Sequence, residues 1–68
     1  MKTLDLHGAR HEDAEILIED FLLLHDVPFV VITGNSNQMK NYLRVIVSKY
    51  SLSMQVESPY NLGSFYVY

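Results

Sequence analysis

Asp5 and His7 stand two residues apart in the stretch Leu4-Asp5-Leu6-His7-Gly8. A carboxylate beside an imidazole favours the imidazolium and can fix the ring's orientation. The pair thus has the makings of an orienting acid and a general acid–base group. Side chains of an extended segment alternate between faces. If Leu4 and Leu6 pack inward, Asp5 and His7 point together the other way. The spacing suits a plain surface hydrogen bond equally well, so the decision rests on what else reaches this place.

A second set of residues can reach it. Gly34-Asn35-Ser36-Asn37 follows the apolar run Phe29–Thr33, and all four types favour turns or helix N-caps, with Asn35 or Ser36 as the cap. The free N–H groups and positive end of a starting helix form an anion site. Lys40 and Arg44 add two cations on that helix's first two turns. If the first two strands run parallel, their C-terminal ends lie side by side and this turn comes next to His7. Ligands of open α/β sheets bind at that end. An acid–base pair, backbone amides and two cations converging there suit the binding, and the cutting, of a phosphodiester. An ordinary strand-to-helix turn accounts for the residue types of Gly34–Asn37 as well.

The elements that must position these residues follow from periodicity. Lys2–Leu6 alternates and reads as a short strand. From Arg10 or His11 to His25, Ala14, Leu17, Ile18, Phe21, Leu22 and His25 recur at helical spacing. Glu12, Asp13 and Glu15 crowd the first turns, where the helix dipole favours negative charge. Ile16 and Leu23 point away from the apolar stripe, among the acids. Pro28 cannot continue the helix. Phe29–Thr33 reads as a strand central in a sheet. Gln38–Tyr50 is a second helix with Met39, Tyr42, Leu43, Ile46, Val47 and Tyr50 on one stripe. Ser53–Glu57 alternates as a strand with Met54 and Val56 inward. Ser58–Gly63 is expected to be a loop, and Ser64–Tyr68 a last strand. The order β-α-β-α-β-β predicts an α/β fold, a two-layer sandwich. Both helices would pack on one face of a mixed sheet, and the crossovers would form right-handed units.

Composition narrows the function classes. The chain has 68 residues, 49% of them hydrophobic, and no cysteine. That predicts one domain over residues 1–68, with no disulfide and no thiolate metal site. No signal peptide or membrane span is legible, so a soluble cytoplasmic protein without a membrane partner is expected. The formal charge is -3 and is unevenly spread. Residues 1–26 carry seven acids against two bases, and residues 27–68 three bases against one acid. This argues against strong non-specific nucleic-acid binding by overall charge and leaves room for a local basic strip.

Leu4–Gly8, an acid-rich amphipathic helix and an apolar strand ending in Thr33-Gly34-Asn35-Ser36 together resemble the Smr domain, a family related to the C-terminal part of MutS2-type proteins. The family pattern opens with LDLHG, matched letter for letter. It continues with a helix bearing a Glu-Ala-like pair, here nearest to Asp13-Ala14 and, reversed, Ala14-Glu15. It then has a T/H-G-x-G turn, met in part at Thr33–Ser36, and a Gly-rich turn before the final strand, met in part at Asn61-Leu62-Gly63. Ser36 stands where the pattern has its second glycine; a positive φ there would suit serine poorly.

The resemblance implies a fold similar to the C-terminal domain of a bacterial translation initiation factor. It implies nucleic-acid binding and, in several members, endonuclease activity on DNA or on messenger RNA, including at stalled ribosomes. It implicates the D-x-H residues in cleavage, here Asp5 and His7, and the glycine-rich turn in binding, here Thr33 and Gly34. The candidate nucleic-acid-binding residues are Gly8 and Arg10 beside the motif, Thr33, Gly34, Asn35, Ser36 and Asn37 in the turn, and Lys40 and Arg44 on the helix. No cofactor is predicted. RNA can supply its own 2′-hydroxyl as nucleophile. If DNA is the substrate, water must attack and a divalent metal becomes relevant. Two alternatives remain open. One is a non-catalytic module that binds RNA, DNA or the ribosome. The other is a protein-interaction domain that uses Ile16 and Leu23, or Tyr60, Tyr66 and Tyr68. His11 and His25 are the remaining histidines; His11 lies near the site, but the family pattern does not require it.

Overall fold

β-branched and aromatic runs, Phe29–Ile32 and Phe65–Val67, lie in the two central strands, short alternating stretches form the edge strands, and two stripes of helical period form the helices. The computed structural model describes every residue from Met1 to Tyr68. Its elements are β1 (Thr3–Asp5), α1 (His11–Leu24), β2 (Phe29–Ile32), α2 (Asn37–Lys49), β3 (Met54–Ser58) and β4 (Asn61–Val67). The strands lie in the order β1-β2-β4-β3. β1 pairs parallel to β2, with Leu4 opposite Val31. β4 runs antiparallel to both β2 and β3 and so separates them. This is the α/β sandwich with a mixed sheet that the element order predicts.

Alternation divides the sheet. Phe29 and Val31 of β2 stand beside Val67 and Phe65 of β4, and all four are buried in one cluster with Leu6, Ala14, Ile18, Met39, Leu43, Ile46 and Val47. Both helices therefore cover the same face. Burying a side chain of this kind contributes roughly 1.5–3 kcal/mol, so this cluster is the main source of stability. The uncovered face carries Val30, Ile32, Tyr66 and Tyr68. Ile16 and Leu23 are exposed on α1, as their angular position predicts.

Two boundaries differ from expectation. β4 begins at Asn61, three residues early, so the turn before it shrinks to Pro59 and Tyr60. Asn61 pairs with Ser58 across a register shift after Val56, and its Oδ1 accepts the Gly63 N–H at 3.2 Å. Local turn chemistry thus extends the hairpin into a segment whose composition reads as loop. Val56 faces inward but stays partly exposed on edge strand β3, beyond the helices' cover.

The helices are tied at the surface by Lys49 Nζ, 3.0 Å from Glu19 Oε1. The hydrogen bond and the charge of Glu19 raise the Lys49 pKa above its ordinary 10.5. The raised value means the pair contributes fully below the unfolded pKa, and its contribution is lost as pH rises through the folded one. Ser51, just past α2, has φ +59°, a left-handed conformation that favours glycine.

Gly63 holds the sheet to the turn between β2 and α2. Its carbonyl accepts the N–H groups of Thr33 at 2.7 Å and Gly34 at 3.1 Å. A Cβ on Gly63 would lie 2.8 Å from the Gly34 carbonyl oxygen and 3.0 Å from its Cα. Backbone on both sides leaves nothing soft to yield. Gly63→Ala should therefore lower stability by about 1–3 kcal/mol, whereas Ser51→Gly should raise it by about 0.5–1 kcal/mol by relieving the left-handed strain. Urea denaturation of the two variants checks both signs.

Candidate functional site

Leu4–Gly8 is a strand end followed by two nested turns. Pairing continues to Leu6, whose N–H bonds Ile32 O at 2.8 Å. The Ala9 N–H then closes on Leu6 O at 2.9 Å, so Leu6–Ala9 is a β-turn with His7 and Gly8 at its centre. Gly8 has φ +86°, the value a type II turn demands at its third residue and the reason glycine suits it. Asp5 Oδ1 accepts the His7 backbone N–H at 2.8 Å, the side-chain-to-backbone bond by which aspartate starts turns.

Asp5 therefore holds the main chain of His7. The shared direction that strict alternation predicts for the two side chains ends with the strand. Asp5 stays on the sheet's uncovered face, and the turn carries His7 into a cleft. Asp5 is exposed and does not line that cleft.

The cleft has a volume of about 150 Å³ and opens at the C-terminal ends of β1 and β2. His7 and Gly8 form one wall. Thr33, Gly34, Asn35 and Ser36 form the other, and His11, Leu6, Ala9 and Met39 complete it. The walls touch where a Cβ on Gly34 (φ +66°) would lie 3.4 Å from Cδ2 of His7. That distance is ordinary van der Waals contact, and the positive φ is what favours glycine at position 34.

Thr33 and Gly34 are committed to structure. Thr33 is 2% exposed, and its Oγ1 donates to the carbonyls of Gly34 at 3.0 Å and Gly63 at 3.3 Å. With their N–H groups on Gly63, both residues lack free donors for a ligand. The next amides differ. Those of Asn35, Ser36, Asn37 and Gln38 have no partner within the chain. Ser36 is the N-cap of α2, and its Oγ accepts the Met39 N–H at 3.1 Å. Its φ of -73° is ordinary for an L-residue, so a serine fits where the family pattern has glycine. α1 starts on the same cleft at His11, with no side-chain cap on its N-terminus. Of the residues with free amides, Asn35 and Ser36 line the opening, and α2 and α1 start beside it. Helix ends and free amides favour an anion, against the carboxylates of Glu12 and Asp13 in the first turn of α1.

The cations lie outside the cleft lining. Arg10 pairs with Glu12 at 3.1 Å, and Arg44 bonds Asn41 on its own helix at 2.8 Å. Lys40 is half-buried one turn into α2, and Asn37 sits at that helix's first position. These four could contact only the flanks of a longer ligand. No group of three or more His, Asp or Glu side chains is arranged to hold a metal ion, and no helix is long and apolar enough to cross a membrane. His25 lies at the far end of α1 against Phe21.

His11 is the residue that sequence reasoning undervalued. Its Nε2 lies 3.3 Å from Ser36 Oγ, and its ring meets the edge of Tyr42 at 6.4 Å between centroids. The available signal was its place at the first position of a helix that starts beside the motif.

Fold and site together define a small α/β domain with an anion-type cleft at the ends of two parallel strands. Comparisons with family models, curated proteins and solved structures gave no match. The likeness to Smr domains accordingly rests on the residues quoted above.

If Asp5 serves as a backbone acceptor, Asp5→Asn should keep stability within about 0.5 kcal/mol, and Asp5→Ala should lose about 1 kcal/mol. Equal losses in denaturant titrations of the two would assign the effect to the charge instead.

Proposed function

We propose that this protein is an Smr-like domain that binds a nucleic-acid phosphodiester in the cleft and cuts it, with RNA as the preferred substrate. The observation that carries the reading is the convergence of His7, the free amides of Asn35 and Ser36, and two helix N-termini on one opening. The amides and helix ends would hold the phosphate and stabilise the charge that builds on it in the transition state. His7, resting over Gly34, would exchange one proton with the reacting oxygen.

RNA fits this set of groups because its nucleophile is built in. The 2′-oxygen attacks phosphorus and gives its proton to an imidazole. The phosphorus–5′-oxygen bond breaks, and the 5′-oxygen takes a proton from a second donor. The products are a 2′,3′-cyclic phosphate and a 5′-hydroxyl. DNA lacks that hydroxyl, and a water-driven cut would call on a divalent metal. Asp5 and Gly8 act here as positioning residues: they shape the turn that presents His7.

Binding without cleavage is the second reading. The Asp5 carboxylate engages a backbone N–H, which leaves the His7 ring without an acidic partner to orient it. In that case the cleft would dock RNA, DNA or a ribosomal surface by its phosphates alone.

The test is incubation of the purified protein with end-labelled single-stranded RNA, matching DNA and supercoiled plasmid, in EDTA and in Mg²⁺. RNA cleavage should persist in EDTA and fall by about 10²-fold or more in folded His7→Ala. Binding of RNA with no cut, on free RNA and on stalled ribosomes alike, selects the second reading. Cleavage indifferent to His7→Ala sinks the assignment of this cleft.

A further inference from the structure

Cutting RNA by its own 2′-hydroxyl moves two protons, and His7 accounts for one. We propose that His11, acting through the Ser36 hydroxyl, is the general acid that protonates the departing 5′-oxygen. This rests on the cleavage reading above and adds a residue that the LDLHG motif does not contain.

The hydrogen bonds around Ser36 carry the argument. A serine hydroxyl has two lone pairs and one proton. One lone pair of Ser36 accepts the Met39 N–H at 3.1 Å. His11 Nε2 lies 3.3 Å away, and when protonated it donates to the second lone pair. Both acceptor positions are then filled, and the hydroxyl proton has one direction left, the cleft that Ser36 lines. As the phosphorus–oxygen bond breaks, Ser36 Oγ gives that proton to the 5′-oxygen and takes the proton of His11 Nε2. His7 meanwhile holds the proton from the 2′-hydroxyl. One proton is taken up and one released, and exchange with water resets both rings.

The same hydroxyl can donate back to the neutral His11 ring, so the contact survives both protonation states. The edge of Tyr42 supports the ring from α2. A glycine at position 36 would retain the turn but provide no relay. The serine that departs from the family pattern and the histidine that the pattern does not require are therefore in contact with each other.

The charged and titratable groups around His11 are few. His7 lies across the cleft and Tyr42 beneath the ring. On its own helix, Glu12 is engaged by Arg10, Asp13 lies in the same first turn, and Glu15 follows one turn on. An acid that must be protonated makes the rate fall on the alkaline side of its pKa, and a base makes it fall on the acid side. The wild-type profile should be bell-shaped.

The experiment compares wild type, His11→Ala, His11→Gln and Ser36→Gly on two substrates of one sequence. One is ordinary RNA; the other carries sulfur in place of the 5′-oxygen at a single linkage. A thiolate leaves without protonation, so it bypasses a general acid. His11→Gln keeps a donor to Ser36, and Ser36→Gly keeps most of the capping, so folding can be held constant and checked by thermal unfolding.

The variants should cut ordinary RNA about 10²-fold more slowly. They should lose the alkaline limb of the profile and recover to within a fewfold of wild type on the sulfur substrate. Two results overturn the proposal alone: folded His11 variants that cut ordinary RNA within threefold of wild type, or variants slowed equally on both substrates. Wild type that binds RNA but cuts neither substrate overturns the cleavage reading, and this inference with it.

Discussion

The close approach of two glycine backbones, Gly63 on β4 and Gly34 in the turn after β2, is the contact on which the rest of the site depends. The Gly63 carbonyl takes the N–H groups of Thr33 and Gly34, and the surfaces are near enough that a methyl group would not fit. This contact sets the height of the turn above the sheet. The turn in turn sets where α2 begins and where the His7 ring can rest. Buried backbone groups must be paired; Thr33 and Gly34 pair with β4, and the next four amides, Asn35 to Gln38, have no partner in the chain, with Asn35 and Ser36 on the cleft.

The division of labour within the turn follows from that geometry. Residues that look like ligands by type, Thr33 and Gly34, hold the scaffold. The unpaired donors at the cleft come from positions whose side chains carry little information, because a backbone N–H is the same on every residue. The LDLHG stretch behaves likewise. Leu4 and Leu6 belong to the side of β1 under the helices, Asp5 and Gly8 shape the turn, and His7 alone brings a titratable side chain to the opening. Four of the five residues thus serve to position the fifth.

Electrostatics separate the cleft from the body of the domain. The acids of residues 1–26 outnumber the bases by five, and most lie along α1, with Glu12 and Glu19 tied to cations. The cleft itself is lined by backbone dipoles and imidazoles and by no carboxylate. An overall acidic chain can carry a local site for an anion where helix ends and free amides act over a few ångströms and the acids farther along α1 are screened by salt; Glu12 and Asp13, in the first turn of α1, lie close enough to oppose it. The net charge of -3 provides no long-range attraction for a polyanion.

Much of this fold was legible in the sequence. The helical stripes of Ala14–Phe21 and Met39–Val47, the apolar run of Phe29–Ile32 and the turn residues at Gly8 and Gly34 are properties of near neighbours, and periodicity reports near neighbours. They determined the element order, the helix-covered face and the side of each strand that enters the core. Tertiary structure alone decided that β4 inserts between β2 and β3. It alone set the turn between Gly34 and Ser36 against His7 and brought His11 to Ser36 across 25 positions of sequence. Those outcomes turn on which distant segments meet and on fractions of an ångström between them. A pattern of residue types along the chain carries neither.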